Sequence, residues 1–234
     1  MPVAKNIKQL ITEQTAYFRI GISVDCVIFG FDNNELKVLL IKSDLEEFRD
    51  QWSLLGDLVR PDENLDSASY RVLRERTGLE DVFLEQVHSF GDVNRHPAGR
   101  VITTAYYSLV NIRDHDLKLQ HNQLHWHPVE DLTTLAFDHM KILQTCVKQL
   151  QNKIEEHPIV FNLLPHKFSL RELQGVYEAV LGQKLDRRNF RKRFFHMDWL
   201  LDTNELEQDV PHRPGKLYLF NEARFAQKKL HSQT

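Results

Sequence analysis

Cysteine is nearly absent from this chain. Two residues, Cys26 and Cys146, occur in 234, far apart and without the paired spacing of a disulfide framework or a cysteine zinc site. One falls in an apolar run and the other in an expected helix, so both are expected as buried, reduced thiols of a cytoplasmic protein. Long apolar runs are lacking too. Met1 to Ile20 is interrupted by Lys5, Lys8 and Glu13 and offers neither a signal peptide nor a membrane span. There is no internal repeat or low-complexity tract. Positive charge is in short supply overall, with 30 Lys and Arg against 33 Asp and Glu. Spread evenly, that balance would speak against a polyanionic partner. It is not even: residues 1–150 carry 16 basic and 22 acidic residues, residues 151–234 carry 14 and 11, and the C-terminal part is therefore the candidate for nucleic acid.

The length suits a medium and a small domain, each with its own core. Ile20 to Phe31 and Leu36 to Lys42 read as a β-hairpin around the turn Asp32-Asn33-Asn34. After Trp52, Leu54, Leu55 and Gly56, the punctuation at Pro61 and Asp62 precedes a helix at about Leu65 to Arg76, stopped by Gly78. Val82 to Phe90, Val101 to Ile112 and the run around Trp126 read as strands, and His139 to Glu155 as a longer helix ending near Pro158. The boundary is set there, giving domains over 1–156 and 157–234.

Beyond it, Ser169-Leu-Arg-Glu172 is a capping box opening a helix with apolar residues at helical spacing, closed by Gly182. Asp186 can cap a second helix, Arg187 to about Met197. Trp199, Leu200 and Leu201, a loop with Pro211, Pro214 and Gly215, and Leu217 to Phe220 follow. Helix, tight turn, helix and two strands around a loop is the order of a winged helix-turn-helix. Its second helix crowds Arg187, Arg188, Asn189, Arg191, Lys192 and Arg193 around an aromatic pair, Phe190 and Phe194, one turn apart. Guanidinium and ammonium groups neutralise phosphates, arginine bonds guanine bidentately, and asparagine pairs with adenine. With His212, Arg213 and Lys216 on the wing, the expected partner is a double-stranded DNA operator.

The segment Asp57 to Leu79 resembles the Nudix box: Glu63, Arg71, Leu73, Glu75, Gly78 and Leu79 match its pattern, while Asp57, Val72 and Arg76 depart from it. The family cleaves diphosphates with Mg²⁺, which needs several converging carboxylate oxygens. Positions 72, 75 and 76 are related by helical i, i+3 and i+4 spacing and carry glutamates in the family. Here Val72 and Arg76 replace two of them. An arginine in the place of a cation's ligand exchanges attraction for repulsion, about 4 kcal/mol for unit charges 4 Å apart at an effective dielectric of 20. The expectation is a degenerate box with vestigial Glu63 and Glu75, no catalytic residue, no metal and no cofactor.

Taken together, the chain from Ile20 to Phe225 resembles the Nudix-related transcriptional regulators, in which a Nudix-like domain senses a small molecule and a winged helix binds an operator. The resemblance implies an α+β fold: a Nudix-type α/β/α sandwich with a mixed sheet, followed by the winged helix. Phe161-Asn-Leu-Leu-Pro165, Asp186 to Arg193 and the loop Gly91 to Arg100 are similar to the sugar-responsive (arabinose-type) branch of Bacteroidetes. The implied effector is a sugar or an ADP-ribose-like molecule. The family's equivalent of that loop lies beside the ligand pocket, which makes Asn94, Arg95, His96, Gly99 and Arg100 the expected effector residues. The resemblance implies a homodimeric repressor; the alternative is a Mg-dependent hydrolase of ADP-ribose or nucleoside diphosphate sugars that recruits a carboxylate from outside the box. His121, His125 and His127 could suggest zinc, but Trp126 and Pro128 argue against the helix that this spacing would need.

Overall fold

A computed structural model of the chain describes residues 20–43, 45–80, 82–113, 124–154, 157–208, 210 and 213–231. The first elements are the expected hairpin, β1 (Gly21–Asp32) and β2 (Glu35–Lys42). Asn33 and Asn34 both have positive φ, 51° and 62°, the pair a two-residue type I′ turn requires and asparagine tolerates. β3 (Trp52–Ser53), β4 (Leu55–Leu58), helix α1 (Leu65–Thr77), β5 (Glu85–Phe90), β6 (Val101–Val110), β7 (Leu124–Pro128) and α2 (His139–Lys153) follow. The strands build one seven-stranded mixed sheet, order β3-β2-β1-β6-β5, with β4 beside β1 and β7 beside β2. β1 and β6 pair in parallel from Gly21↔Val101 to Gly30↔Val110, and the other pairs are antiparallel.

Strand periodicity decides which helix each residue meets. Val24, Cys26 and Ile28 of β1 turn to one face and pack with Ala68, Val72 and Leu73 of α1. Val27 and Phe29 turn to the other and pack with Ile142, Leu143 and Cys146 of α2. The sheet is thus sandwiched as expected, and both thiols are buried and unpaired. Burial holds the Cys146 thiol up at about 12 and raises Cys26 further. α1 is capped by the Asn64 side chain, which accepts from Ser67 N at 2.8 Å, and ends at Gly78 with φ 76°. β6 stops short of Ile112 because the Asn111 side chain turns back to accept from Arg113 N at 3.0 Å.

A 3₁₀ turn at Pro158–Leu163 leads into β8 (Phe168–Ser169), α3 (Leu170–Leu181), α4 (Arg187–Met197), β9 (Leu200–Leu206), β10 (Lys216–Phe220) and α5 (Glu222–His231). β8, β10 and β9 form a three-stranded antiparallel sheet. Ser169 and Glu172 make the reciprocal capping box, Gly182 closes α3 at φ 65°, and Asp186 caps α4 through Asn189 N at 2.8 Å. The two units share a core. The apolar cluster on the α2 face of the large sheet runs on through Val160, Leu163, Phe168, Leu173, Tyr177, Phe190 and Phe194. Polar contacts cross with it: Tyr177 Oη donates to Ile154 O at 3.0 Å, and Gln151 Nε2 to Val180 O at 2.9 Å. α3 lies so close to the hairpin that a Cβ on Gly175 would stand 2.8 Å from Asn34 Oδ1.

Candidate functional site

The Nudix-like box is organised around Arg71, whose residue is 6 % exposed. Its guanidinium donates to Glu63 at 2.7 and 2.9 Å, to Asp57 at 3.0 Å, to Glu75 at 3.3 Å and to Leu58 O at 2.9 Å. Arg60 holds the other oxygen of Glu75 at 3.3 Å and donates its backbone N–H to Glu63 at 2.8 Å. The bonds from Arg71, then that from the Arg60 backbone, pull the Glu63 carboxyl down to about 2, and the same pairing raises Arg71. Both vestigial carboxylates are thus already satisfied by cations of the chain. Val72 differs from what helical spacing suggested. Its side chain is 1 % exposed within the apolar cluster under α1, while Glu75 and Arg76 face solvent, so position 72 does not join them in one patch. Among the described residues, no three His, Cys, Asp or Glu side chains gather in a way that could hold a metal ion. The residues present do not fit the family's Mg²⁺ site: one former ligand position is core valine, one is arginine, and Glu63 and Glu75 are bonded to arginines.

The loop Gly91 to Arg100 is pinned from below. Arg95, with a side chain 2 % exposed, forms a bidentate pair with Asp138 at 2.7 and 3.0 Å and lies 3.6 Å from Asp25. Thr103 Oγ1 donates to Asp25 at 2.7 Å. His139 Nδ1 accepts from Leu54 N at 3.0 Å, and its Nε2 stands 3.4 Å from the Asp25 carboxylate. Burial lowers the His139 pKa, which keeps the ring neutral with its proton on Nε2. Above this cluster, His96 stacks on Phe137, centroids 5.1 Å apart at 18°. Phe137 has φ 55° and also touches Phe48. Asn94 and Gly99 are exposed, Gly99 at φ 122°, and Arg100 bonds the carbonyl of Gly91. The structure thus gathers Asn94, His96, Gly99 and Arg100 on one loop and turns Arg95 inward. Sequence reasoning missed Asp25, Phe137, Asp138 and His139; the Phe-Asp-His run at 137–139, on the approach to a helix, was the available signal.

On α4, Phe190 and Phe194 are buried, while Arg187, Arg188, Asn189, Arg191, Lys192 and Arg193 are exposed. Phe190 and Phe194 pack edge-on to Tyr177 of α3, which fixes how the helix is rotated. Arg213 is exposed on the wing, and Lys216 is held by Asp202 at 2.6 Å, so part of its charge is already met. His212 and His121 lie outside the described residues. His125 and His127 sit two apart on β7, a strand, with Trp52 packed against both at 5.3 and 4.3 Å.

A model of the NUDIX domain matches residues 19–146, and one of the NrtR DNA-binding winged helix domain matches residues 160–220. The ADPR responsive transcriptional repressor NtrR of Acinetobacter baylyi is 34% identical over 204 residues, 85% of this chain and 81% of that protein. The chain belongs to the NrtR family of transcriptional regulators. The crystal structure of Shewanella oneidensis NrtR complexed with a 27mer DNA superposes with a TM-score of 0.75 at 27% identity, covering 88% of this chain and 95% of that one. The NUDIX domain of the same NrtR, crystallised with ADP ribose, gives 0.54 at 25% identity over 62% of this chain and 99% of that one. None of these NrtR relatives is named for a sugar, so the sugar-responsive branch expected from three short segments has no support among them. The NrtR architecture, a Nudix domain with a mixed sheet followed by a winged helix, is the one this chain folds into.

Proposed function

We propose that this NrtR-family chain is a homodimeric repressor that binds operator DNA through α4 and is released by an ADP-ribose-like effector which its Nudix domain binds without hydrolysing. The observation that carries the reading is the box itself: Arg71 and Arg60 occupy the carboxylates, and Val72 is core. A relative named for its response to ADP-ribose, and a solved Nudix domain holding that molecule, support the choice of effector over a free sugar. Asn94, His96, Gly99 and Arg100 are assigned to the effector. Arg95, spent on Asp138, is assigned to holding their loop in place. A nucleoside diphosphate sugar suits such a loop, since a guanidinium and exposed backbone donate to phosphates and hydroxyls. Two winged helices of a dimer would meet half-sites about one turn of DNA, roughly 34–36 Å, apart. Each wing and helix would then read the same half-site sequence.

The test is calorimetric titration of the full chain with ADP-ribose in the presence of Mg²⁺, followed by chromatography of the nucleotide. The expected result is saturable binding and intact ADP-ribose. Conversion to AMP and ribose phosphate would favour a hydrolase instead, and no heat would remove ADP-ribose as the effector.

A further inference from the structure

α4 has two chemically different sides, and their rotation follows from the buried aromatic pair. At about 100° per residue, Lys192 lies about 180° from the midpoint of Phe190 and Phe194, Arg188 about 140°, and Asn189 and Phe195 about 120° on either side. Arg187 and Arg191 are only about 40° and 80° away from that midpoint. These two line a cavity of about 540 Å³ beside α3, together with Arg171, Lys184 and Glu178. The neighbouring cations are already engaged: Lys184 bonds Glu178 at 2.9 Å and Arg171 bonds Glu207 at 2.9 Å. Arg187, Arg188, Arg191 and Lys192, by contrast, have no ion pair among the described residues. Phe195 is 49 % exposed on the outward side, where no apolar neighbour explains it.

We infer that α4 divides its labour: Arg188, Asn189, Lys192 and Phe195 read base edges, while Arg187 and Arg191 hold the phosphate backbone along the cavity side. This rests on the DNA-binding reading above and sorts its residues. A helix 10–12 Å across fills a major groove about 12 Å wide, so only the side opposite the core reaches the bases. Arg188 and Lys192 carry donors that match guanine O6 and N7, Asn189 matches adenine N6 and N7, and an exposed phenyl ring matches the thymine methyl group. From Arg188 to Phe195 the helix rises about 10 Å, some three base-pair steps. Each α4 therefore reads three to four consecutive base pairs. Arg187 and Arg191, displaced toward α3, meet the strand that borders the groove, in keeping with the role of the first helix of this motif in crossing the backbone.

The experiment is selection of duplexes from a random-sequence pool by the full-length protein, followed by salt-dependent affinity measurements on the enriched site. Arg188→Ala, Asn189→Ala, Lys192→Ala, Arg187→Ala and Arg191→Ala are compared, with circular dichroism confirming that each surface variant is folded. For the first three, discrimination at one base-pair position each falls roughly ten- to hundred-fold while the remaining positions hold. For Arg187→Ala and Arg191→Ala, the enriched sequence is unchanged, affinity drops evenly, and the slope of log K against log salt shrinks by about one. A change of enriched sequence on losing Arg187 or Arg191, or an unchanged one on losing Arg188 and Lys192, overturns this assignment alone. A wild-type protein that enriches no sequence overturns it together with the regulator reading.

Discussion

Val72→Glu restores a Nudix glutamate, and the structure says it should cost stability rather than confer catalysis. The side chain is 1 % exposed among Val24, Cys26, Leu39, Leu55 and Leu73. A carboxylate buried in such surroundings has its pKa raised from about 4.3 toward about 8 or more. Between those two values the folded state binds more protons than the unfolded state, so stability is lost as pH rises. At 1.36 kcal/mol per unit, the ionisation penalty is about 1 kcal/mol at pH 5 and about 5 kcal/mol at pH 8, against a typical total of about 5–15 kcal/mol. Urea unfolding of the full chain at both pH values measures it directly. The expected variant is near collapse at pH 8 and substantially recovered at pH 5. Arg76→Glu, on the solvent face, should shift stability by no more than about 0.5 kcal/mol and gain no turnover. A Val72→Glu protein of wild-type stability at both pH values, with Mg²⁺-dependent hydrolysis of ADP-ribose, would refute the placement of position 72 in the core.

Three further outcomes follow from the same geometry. Arg95→Ala leaves Asp138 and Asp25 buried without their cation and should lower stability by about 3–5 kcal/mol, read as a shift in urea midpoint; a surface-loop cost near zero would show that the pair does not anchor the loop. Gly175→Ala places a Cβ 2.8 Å from Asn34 Oδ1, so it should destabilise the contact between winged helix and hairpin, and Asn34→Gly should restore part of the loss in a double-mutant cycle. On acidification, His139 and His96, both lowered from 6.5, stay neutral when folded but take protons when unfolded, so stability falls as pH drops below about 6.5. Glu63, lowered from 4.5 to about 2, adds a second loss below pH 4.5. A stability profile flat from pH 7 to pH 3 would contradict both.

The parts legible in the sequence were those with local causes. Asn33 and Asn34 announce a two-residue turn, Ser169 and Glu172 a helix start, Gly78 and Gly182 helix ends, and each does so through its own backbone preference. The rotation of α4 followed from Phe190 and Phe194, because an aromatic pair one turn apart has only one way to face a core. What escaped was set by tertiary placement. Val72 was taken for part of a ligand patch because helical spacing shows neighbours but not which side the sheet covers. Arg95 was grouped with its loop neighbours because spacing does not show that Asp138 waits beneath it, 43 residues on. β3, β4 and β8, each two to four residues long, exist because a longer strand lies alongside, and their own residues carry little alternation to reveal them. The shared core across the two units was equally hidden, since the apolar residues that form it had already been assigned to separate domains.

The most direct measurement is fluorescence anisotropy of a labelled duplex, taken from the selected site, bound to the full-length protein at physiological salt while ADP-ribose is titrated in with Mg²⁺ present. A ligand-released repressor with an inert Nudix box should hold the duplex, let it go as ADP-ribose saturates, and stay released for hours because the nucleotide is not consumed. Recovery of DNA binding as the nucleotide is hydrolysed, or a duplex that never binds selectively at all, would contradict it.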